Sequence, residues 1–312
     1  MVTQQTNPAS WRLAAAALGA LCLAGVAPQA AHAADSGAVA RGAYLFAAAD
    51  CASCHTDKEG KGAPLAGGRA LKTEFGVFFA PNITSDKTHG IGAWSQTEFR
   101  RAVRQGKGKR GELLYPVFPY PSFAGMTDRD IDDIYAYLMA QPASATPSKP
   151  HQLKSPYGFR PLMIFWRMLN FRPGPLQPVA GQSAEWNRGR YLAEAVAHCQ
   201  ECHTPRDKLG ALDKQLAYAG NPVGPDDQKT PNITTHEKSA IAGWSVGELT
   251  DLLQSGAKPD GDYIAGGMAE VVEGTGKLTP ADLKALVVYI KSLPPRVRPA
   301  APAAAAAAAE KK

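Results

Sequence analysis

The sequence predicts an all-α protein built from two similar helical domains in tandem. Two observations carry this. Short blocks recur in the same order in both halves, and the stretches between them have helical periodicity with capping residues at their starts. Arg41-Gly42-Ala43-Tyr44-Leu45 returns as Arg188-Gly189-Arg190-Tyr191-Leu192. Pro81-Asn82-Ile83-Thr84 returns as Pro231-Asn232-Ile233-Thr234, and Ile91-Gly92-Ala93-Trp94-Ser95 as Ile241-Ala242-Gly243-Trp244-Ser245. Self-similarity on this scale means two copies of one unit rather than one large fold.

The elements follow in order. Residues 1–33 form a leader with one basic residue, Arg12, and no acidic one. Its short apolar run, Leu13 to Ala27, and Ala31-His32-Ala33 fit a cleavable secretory signal. The first domain is expected over 34–141 and the second over 186–295, joined by a Pro-rich linker, 142–185, and followed by a disordered tail, 296–312. In each copy an N-terminal helix is expected (about 37–50 and 186–198), then a loop of Gly, Pro and Asn. A middle helix starts at Ser95 or Ser245, each followed three residues later by Glu98 or Glu248, the pattern of a capping box. The last helix starts at Thr127 or Thr279 and ends before Pro142 or Pro294. Ile131, Ile134, Tyr135 and Leu138 share one face of it, as do Leu283, Leu286, Val287 and Ile290 in the second copy. No strand pattern competes.

The chemistry lies where each N-terminal helix ends. Cys51-Ala-Ser-Cys54-His55 and Cys199-Gln-Glu-Cys202-His203 are both Cys-x-x-Cys-His, the attachment signature of c-type haem. Two thiols at this spacing can bond the two vinyl groups on one edge of the macrocycle, and the following His is held under the iron. Zinc has no use for a His directly after each second Cys, and a thioredoxin-like pair lacks it. Cys51, Cys54, His55, Cys199, Cys202 and His203 are therefore expected to hold two covalently attached haem c groups, with His55 and His203 as iron ligands. Cys22 leaves with the leader, so every other cysteine belongs to a haem motif. Export and haem attachment together point to a bacterial periplasm. The whole-chain charge is +6, but no basic run interleaves with aromatics, so nucleic acid is not an expected partner.

With these motifs the chain resembles the multihaem cytochrome c subunits of periplasmic alcohol, sugar, gluconate and aldehyde dehydrogenases. The likeness also rests on the Pro-Asn-Ile-Thr and Ile-x-x-Trp-Ser blocks, on Tyr115-Pro-Val-Phe118-Pro-Tyr-Pro-Ser-Phe123 and on Ser183-Ala-Glu-Trp-Asn-Arg-Gly189. It covers nearly all of residues 38–295. It implies two tandem cytochrome c-like domains and electron transfer from a dehydrogenase catalytic subunit to a downstream cytochrome, an oxidase or quinone. Peripheral membrane association, at the outer face of the inner membrane, is a further expectation. Many relatives have three haems; here no third haem domain is expected.

The second axial ligand separates a carrier from a catalyst, since a His/Met pair closes the iron and raises its potential. Met268, expected in a loop before the last helix, sits where the family has its ligand. In the first copy the family often has Met where this chain has Phe118, which cannot ligate. Met126 is then a ligand candidate, or equally an apolar staple before Thr127, as Leu278 is before Thr279. His89 is a weaker candidate. An open first haem would allow a rival function, a dihaem peroxidase or thiosulfate-oxidising enzyme; a free-standing electron shuttle is a third. Trp94 and Trp244 could donate to a haem propionate or pack the core. Asn82 and Asn232 are expected to satisfy loop backbone, with lining of the haem edge as the alternative, and His198 is expected to be exposed. The linker stretch Leu162 to Leu169 is expected as a short helix buried between the domains, with a docking face for a dehydrogenase or a membrane as the alternative.

Overall fold

Each copy is built on close packing between its first and last helices. In the computed structural model, which describes residues 1, 35–224 and 228–298, α1 (Ser36–Ala48) lies on α5 (Asp128–Met139). In the second copy α7 (Ala184–Tyr191) lies on α11 (Pro280–Lys291) in the same way. The repeated glycine is what lets them touch. A Cβ on Gly42 would fall 1.9 Å from the carbonyl oxygen of Asp133, and one on Gly189 would fall 1.9 Å from that of Ala285. Hence the backbones meet directly, and the apolar faces expected on α5 and α11 fill the core: Ile131, Ile134 and Leu138 are buried, as are Leu283, Leu286, Val287 and Ile290. The leader expected at 1–33 lies outside the described residues beyond Met1, and so does the tail from 299 onward.

The caps form as the sequence predicts. Ser95 and Glu98 make a full capping box at the start of α3 (Gln96–Gln105), and Ser245 and Glu248 another at α9 (Val246–Ser255). Thr127 and Thr279 accept the backbone N–H of Asp130 and Asp282. Between Tyr191 and Cys199 the second copy has one residue more than the first has between Tyr44 and Cys51. A π-turn over Leu192–Val196 takes up the extra residue.

Four expectations are corrected. The chain is mostly helical but carries a small antiparallel sheet: β1 (Ala70–Thr73), β2 (Gly76–Phe79) and β3 (Gln152–Leu153), in the order β1-β2-β3. The strands are too short for alternation to register, and β3 comes from the linker, which is thereby stitched to the first copy. Gly76, at φ 121°, is required here because a Cβ would lie 2.4 Å from the Gln152 carbonyl oxygen. The linker helix α6 (Leu162–Asn170) forms as expected and bridges the copies, with Met163 packed on Phe78 and Tyr115 and Trp166 bonded to Leu209, but it is only half-buried there, since Ile164, Phe165, Met168 and Leu169 stay exposed. The segment of Met268 is not a loop but the first turn of α10 (Gly267–Thr275). Residues 296–298 are not part of a loose tail, because Arg296 donates to Thr234 Oγ1 and to the Ala217 carbonyl.

The two copies share one hydrophobic core and exchange a pair of tyrosines. Tyr44 of α1 donates to Asp282 at the start of α11 (2.6 Å) and accepts the N–H of Thr279 (3.1 Å). Tyr191 of α7 does the same to Asp130 and Thr127 of the first copy. Each repeated Tyr therefore caps the last helix of the other copy.

Candidate haem-binding sites

The residue before each first Cys turns the chain out of its helix. Asp50 and His198 are both left-handed, at φ 50° and 39°, and the motifs follow as short helices, α2 (Cys51–His55) and α8 (Gln200–His203) with Cys199 at its cap. His55 Nδ1 donates to the Pro81 carbonyl and His203 Nδ1 to the Pro231 carbonyl, each at 2.8 Å. That bond fixes the ring and the tautomer and leaves Nε2 free to ligate iron. Burial pushes both imidazoles toward the neutral form.

The Pro-Asn-Ile-Thr block is the frame for these prolines. Asn82 donates to the carbonyls of Ser144 and Thr146 and accepts from both the N–H and hydroxyl of Thr84. Asn232 donates to the Arg296 carbonyl and accepts from Thr234 in the same way. Both asparagines are structural, as expected, and they position the histidines through the proline carbonyls. Trp94 and Trp244 pack against the shared core.

The thiols suit thioether attachment better than redox or zinc chemistry. All four are free. Burial raises each of them, Cys199 to about 12 and Cys202 to about 11, whereas a reactive Cys-x-x-Cys pair needs a depressed value. Among the described residues no group of three or more His, Cys, Asp or Glu is arranged to hold a bare metal ion. An anchored His with one free nitrogen beside two unpaired thiols fits a covalent haem in each copy.

The two motifs lie against each other. His198, expected to be exposed, is half-buried at the contact between the copies: its Nε2 lies 3.3 Å from the Ala49 carbonyl and its ring packs on Phe123 at 5.2 Å. Both residues immediately precede the Asp50–Cys51 and Cys199 positions, so the attachment segments touch. Each motif is also held by the other copy. Ser122, in α4 (Tyr120–Phe123), donates to Glu201 inside the second motif (2.6 Å), and Arg206 completes that carboxylate (2.6 Å). Reciprocally, Arg69 donates to the Ser53 carbonyl inside the first motif and to Glu270 of α10, each at 2.6 Å. These clamps were not legible beforehand, because none of their residues recurs in the repeat.

Met268 sits in the first turn of α10, half-buried against the core. Met126 is fully buried beside Ile131, the staple geometry, and its carbonyl accepts from Arg104 at 2.6 Å. Phe118 lies among the rings of Tyr120 and Phe123. His89 stays with its own loop, 3.4 Å from Asp86.

The geometry defines a class: a helical protein that holds covalent haem through Cys-x-x-Cys-His in two linked copies. The cytochrome c family matches residues 39–142 and 187–294, and the chain belongs to that family. It carries two covalently bound haem c groups. It is 40% identical over 264 residues to a "Diheme cytochrome c-type" of Cereibacter sphaeroides, covering 83% of this chain and 87% of that one. It is also 40% identical over 260 residues to the fructose dehydrogenase cytochrome subunit of Gluconobacter japonicus, covering 82% of this chain and 52% of that one. Against the gluconate 2-dehydrogenase cytochrome c subunit of Pantoea cypripedii the identity is 37% over 286 residues, 88% of this chain and 63% of that one. The chain thus spans between half and two thirds of these two dehydrogenase subunits.

Proposed function

We propose that this protein is a dihaem cytochrome c subunit that accepts electrons from a periplasmic dehydrogenase catalytic subunit and delivers them to a downstream cytochrome, an oxidase or quinone. Relatives named as cytochrome subunits of fructose, gluconate and alcohol dehydrogenases support the upstream partner. In this reading residues 1–33 are a signal peptide, 34–141 and 186–295 are the two haem domains, and 142–185 is the linker. Cys51 and Cys54 hold one haem, Cys199 and Cys202 the other, and His55 and His203 are the proximal ligands. Bound haem supplies a one-electron couple at each site.

The observation that carries the proposal is the contact between the attachment segments at Ala49 and His198. A carrier of single electrons needs its two sites close and rigidly spaced, and this chain achieves both. The tyrosine exchange, the Ser122–Glu201 bond and the Arg69–Glu270 pair prevent the copies from swinging apart. The proline carbonyls keep the histidine rings from rotating, and the buried core excludes water from behind them. Met268 is proposed as the sixth ligand of the second site. Around Phe118 the ring neighbours are Tyr120 and Phe123, neither of them a His, Arg or carboxylate placed as a distal acid or base for peroxide chemistry; this supports a carrier over the enzyme reading.

The test is to purify the native holoprotein with what binds it and to add the substrate of any co-purified dehydrogenase. Fast reduction of both haems is expected. Vigorous peroxide turnover with a one-electron donor, and no reduction by a dehydrogenase, would replace the proposal with the enzyme reading.

A further inference from the structure

We propose that Arg69, a residue of the first copy, is a positioning residue for Met268 and so controls the ligation of the second haem; this rests on the assignment of Met268 as that haem's sixth ligand. Met268 and Glu270 stand two residues apart in α10, about 200° round the helix. Met268 packs against the shared core, while Glu270 reaches the first copy, where its carboxylate accepts from Arg69 Nη1 at 2.6 Å. The same nitrogen donates to the Ser53 carbonyl, inside the first haem motif, at 2.6 Å. The far end of α10 is fixed on the first copy as well. A Cβ on Gly274 would fall 2.2 Å from the carbonyl oxygen of Ala47, near the end of α1. The helix that carries Met268 is thus registered at both ends on the segment leading into, or forming, the first attachment motif.

Bond strength decides which copy places the first turn of α10. Its own copy holds that turn through the Gly267 N–H, which donates to Gln228 Oε1 at 3.3 Å, a long and neutral bond. The Arg69–Glu270 bond is short and charge-assisted, and both side chains are only 25% exposed. Lys58 also approaches Glu270 and Glu273, at 4.0 and 3.3 Å, but it is half exposed and its pairs are screened by water. The strongest tie within the second copy, from Thr275 Oγ1 to the Leu253 carbonyl at 2.5 Å, lies about two turns beyond Met268. A thioether is a neutral, soft ligand, and groups outside the ligand shell that orient a ligand govern how firmly it is held. The arrangement is reciprocal. Ser122 of α4, the segment ahead of the first copy's last helix, donates to Glu201 inside the second motif. Each copy therefore fastens the segment before its last helix to the attachment motif of the other.

Imidazole titration of the oxidised dihaem holoprotein, followed in the Soret band, measures how readily the second iron gives up its thioether. Met268→Ala supplies the reference and should open a strong imidazole site. Arg69→Met and Glu270→Gln should each raise the affinity of the second haem roughly tenfold over the wild type. Adding Arg69→Met to Met268→Ala should raise it no further, because the two changes act on one bond. Lys58→Met should stay within about twofold of the wild type. Wild-type affinity in both Arg69→Met and Glu270→Gln, beside a clear rise in Met268→Ala, would overturn the proposal and leave Met268 as the ligand. A further rise on combining Arg69→Met with Met268→Ala would put the effect at the first haem and overturn it too. No rise in Met268→Ala would remove the ligand assignment itself, and Arg69 would lose its role with it. If Arg69→Met fails to keep both haems, Glu270→Gln, which preserves the shape of the side chain, decides alone. Reduction by a dehydrogenase is a separate measurement that none of these outcomes settles.

Discussion

The first and second copies share a backbone and differ in what they bury beside the haem motif. In the first copy Tyr137 packs at a tilt on Phe46 with ring centres 5.0 Å apart, and the Leu65 carbonyl accepts the Ile83 N–H. In the second copy Tyr218 occupies the place of Leu65, with the same left-handed backbone and the same bond from Ile233. Tyr289, in place of Tyr137, donates to Glu194, which pairs with Arg190 at 3.2 Å. Glu194 rides on the π-turn that the first copy lacks. The comparison separates two layers of information. Glycines, caps and proline carbonyls repeat because they build the fold. A polar set that occurs once makes the second site chemically different without altering the frame.

If each copy is a complete attachment unit, removing its thiols should have the largest effect and a local one. Cys199→Ala with Cys202→Ala should leave one haem on the chain, and Cys51→Ala with Cys54→Ala should leave the other. Intact mass after acid-acetone extraction reads this directly. Loss of both haems from either variant would mean that the copies do not form independently, and the comparison between them would lose its basis.

The shared frame is tested next. Ala at Gly42 or Gly189 drives a methyl into a carbonyl, and each should cost about 3 kcal/mol or more, at the upper end of overpacking. Thermal unfolding followed in the Soret band should show similar losses in both. A mild effect at one position and a severe effect at the other would show that one copy carries the stability. Met268→Ala probes the difference instead. It should let the reduced second haem bind carbon monoxide and should lower its potential. Met126→Leu keeps the buried staple, so a spectral change would assign Met126 to the first iron, and silence would leave it in the core.

The polar set gives a smaller effect. Tyr289→Phe leaves Glu194 without its hydroxyl donor and should cost about 1–2 kcal/mol. Tyr137→Phe, at the matching position in the apolar copy, should change stability by no more than about 0.5 kcal/mol. Equal effects in a denaturant titration would remove the distinction between the copies.

What the sequence disclosed follows the same division. The motifs, the capping boxes at Ser95 and Ser245, the N-caps at Thr127 and Thr279 and the buried faces of α5 and α11 were all legible, since each rests on spacing along one chain segment. Gly42 and Gly189 could be seen to recur, but their reason, a helix contact with Asp133 and Ala285, is tertiary. The sheet escaped because its strands have two to four residues, below the length at which alternation is readable. The burial of His198 has no signal along the chain, since its counterpart Asp50 suggests a solvated position; it comes from Ala49 and Phe123 of the other copy. Glu201 gave no signal at all. A carboxylate inside Cys-x-x-Cys reads as surface until Ser122 and Arg206 are brought to it.

The finest difference between the copies lies at the tyrosine exchange, and its reporter is a change of acid slope. Asp130 accepts Tyr191 from the second copy, while Arg41 of its own copy goes to Asp133 in a two-point pair. Asp282 accepts Tyr44 and is also held by Arg188 of its own copy at 2.8 and 2.6 Å. The Arg188 guanidinium therefore holds the Asp282 carboxyl below its ordinary value, against the opposing effect of burial and with help from Tyr44. A carboxylate whose folded value is depressed stabilises the protein above the unfolded value, near 4, and loses that contribution as pH falls through the folded value. The melting temperature of the wild type should therefore fall as pH is lowered from about 5 toward 2. Arg188→Met should melt a few degrees lower at pH 5, because the carboxylate is then held by Tyr44 alone, and should show a shallower decline on further acidification. Adding Tyr44→Phe should flatten the decline again, since the last group favouring the ionised form is gone. An acid slope identical in the wild type and both variants would mean that Asp282 does not report on the contact between the copies, and the asymmetry with Asp130 would be one of geometry without energetic weight.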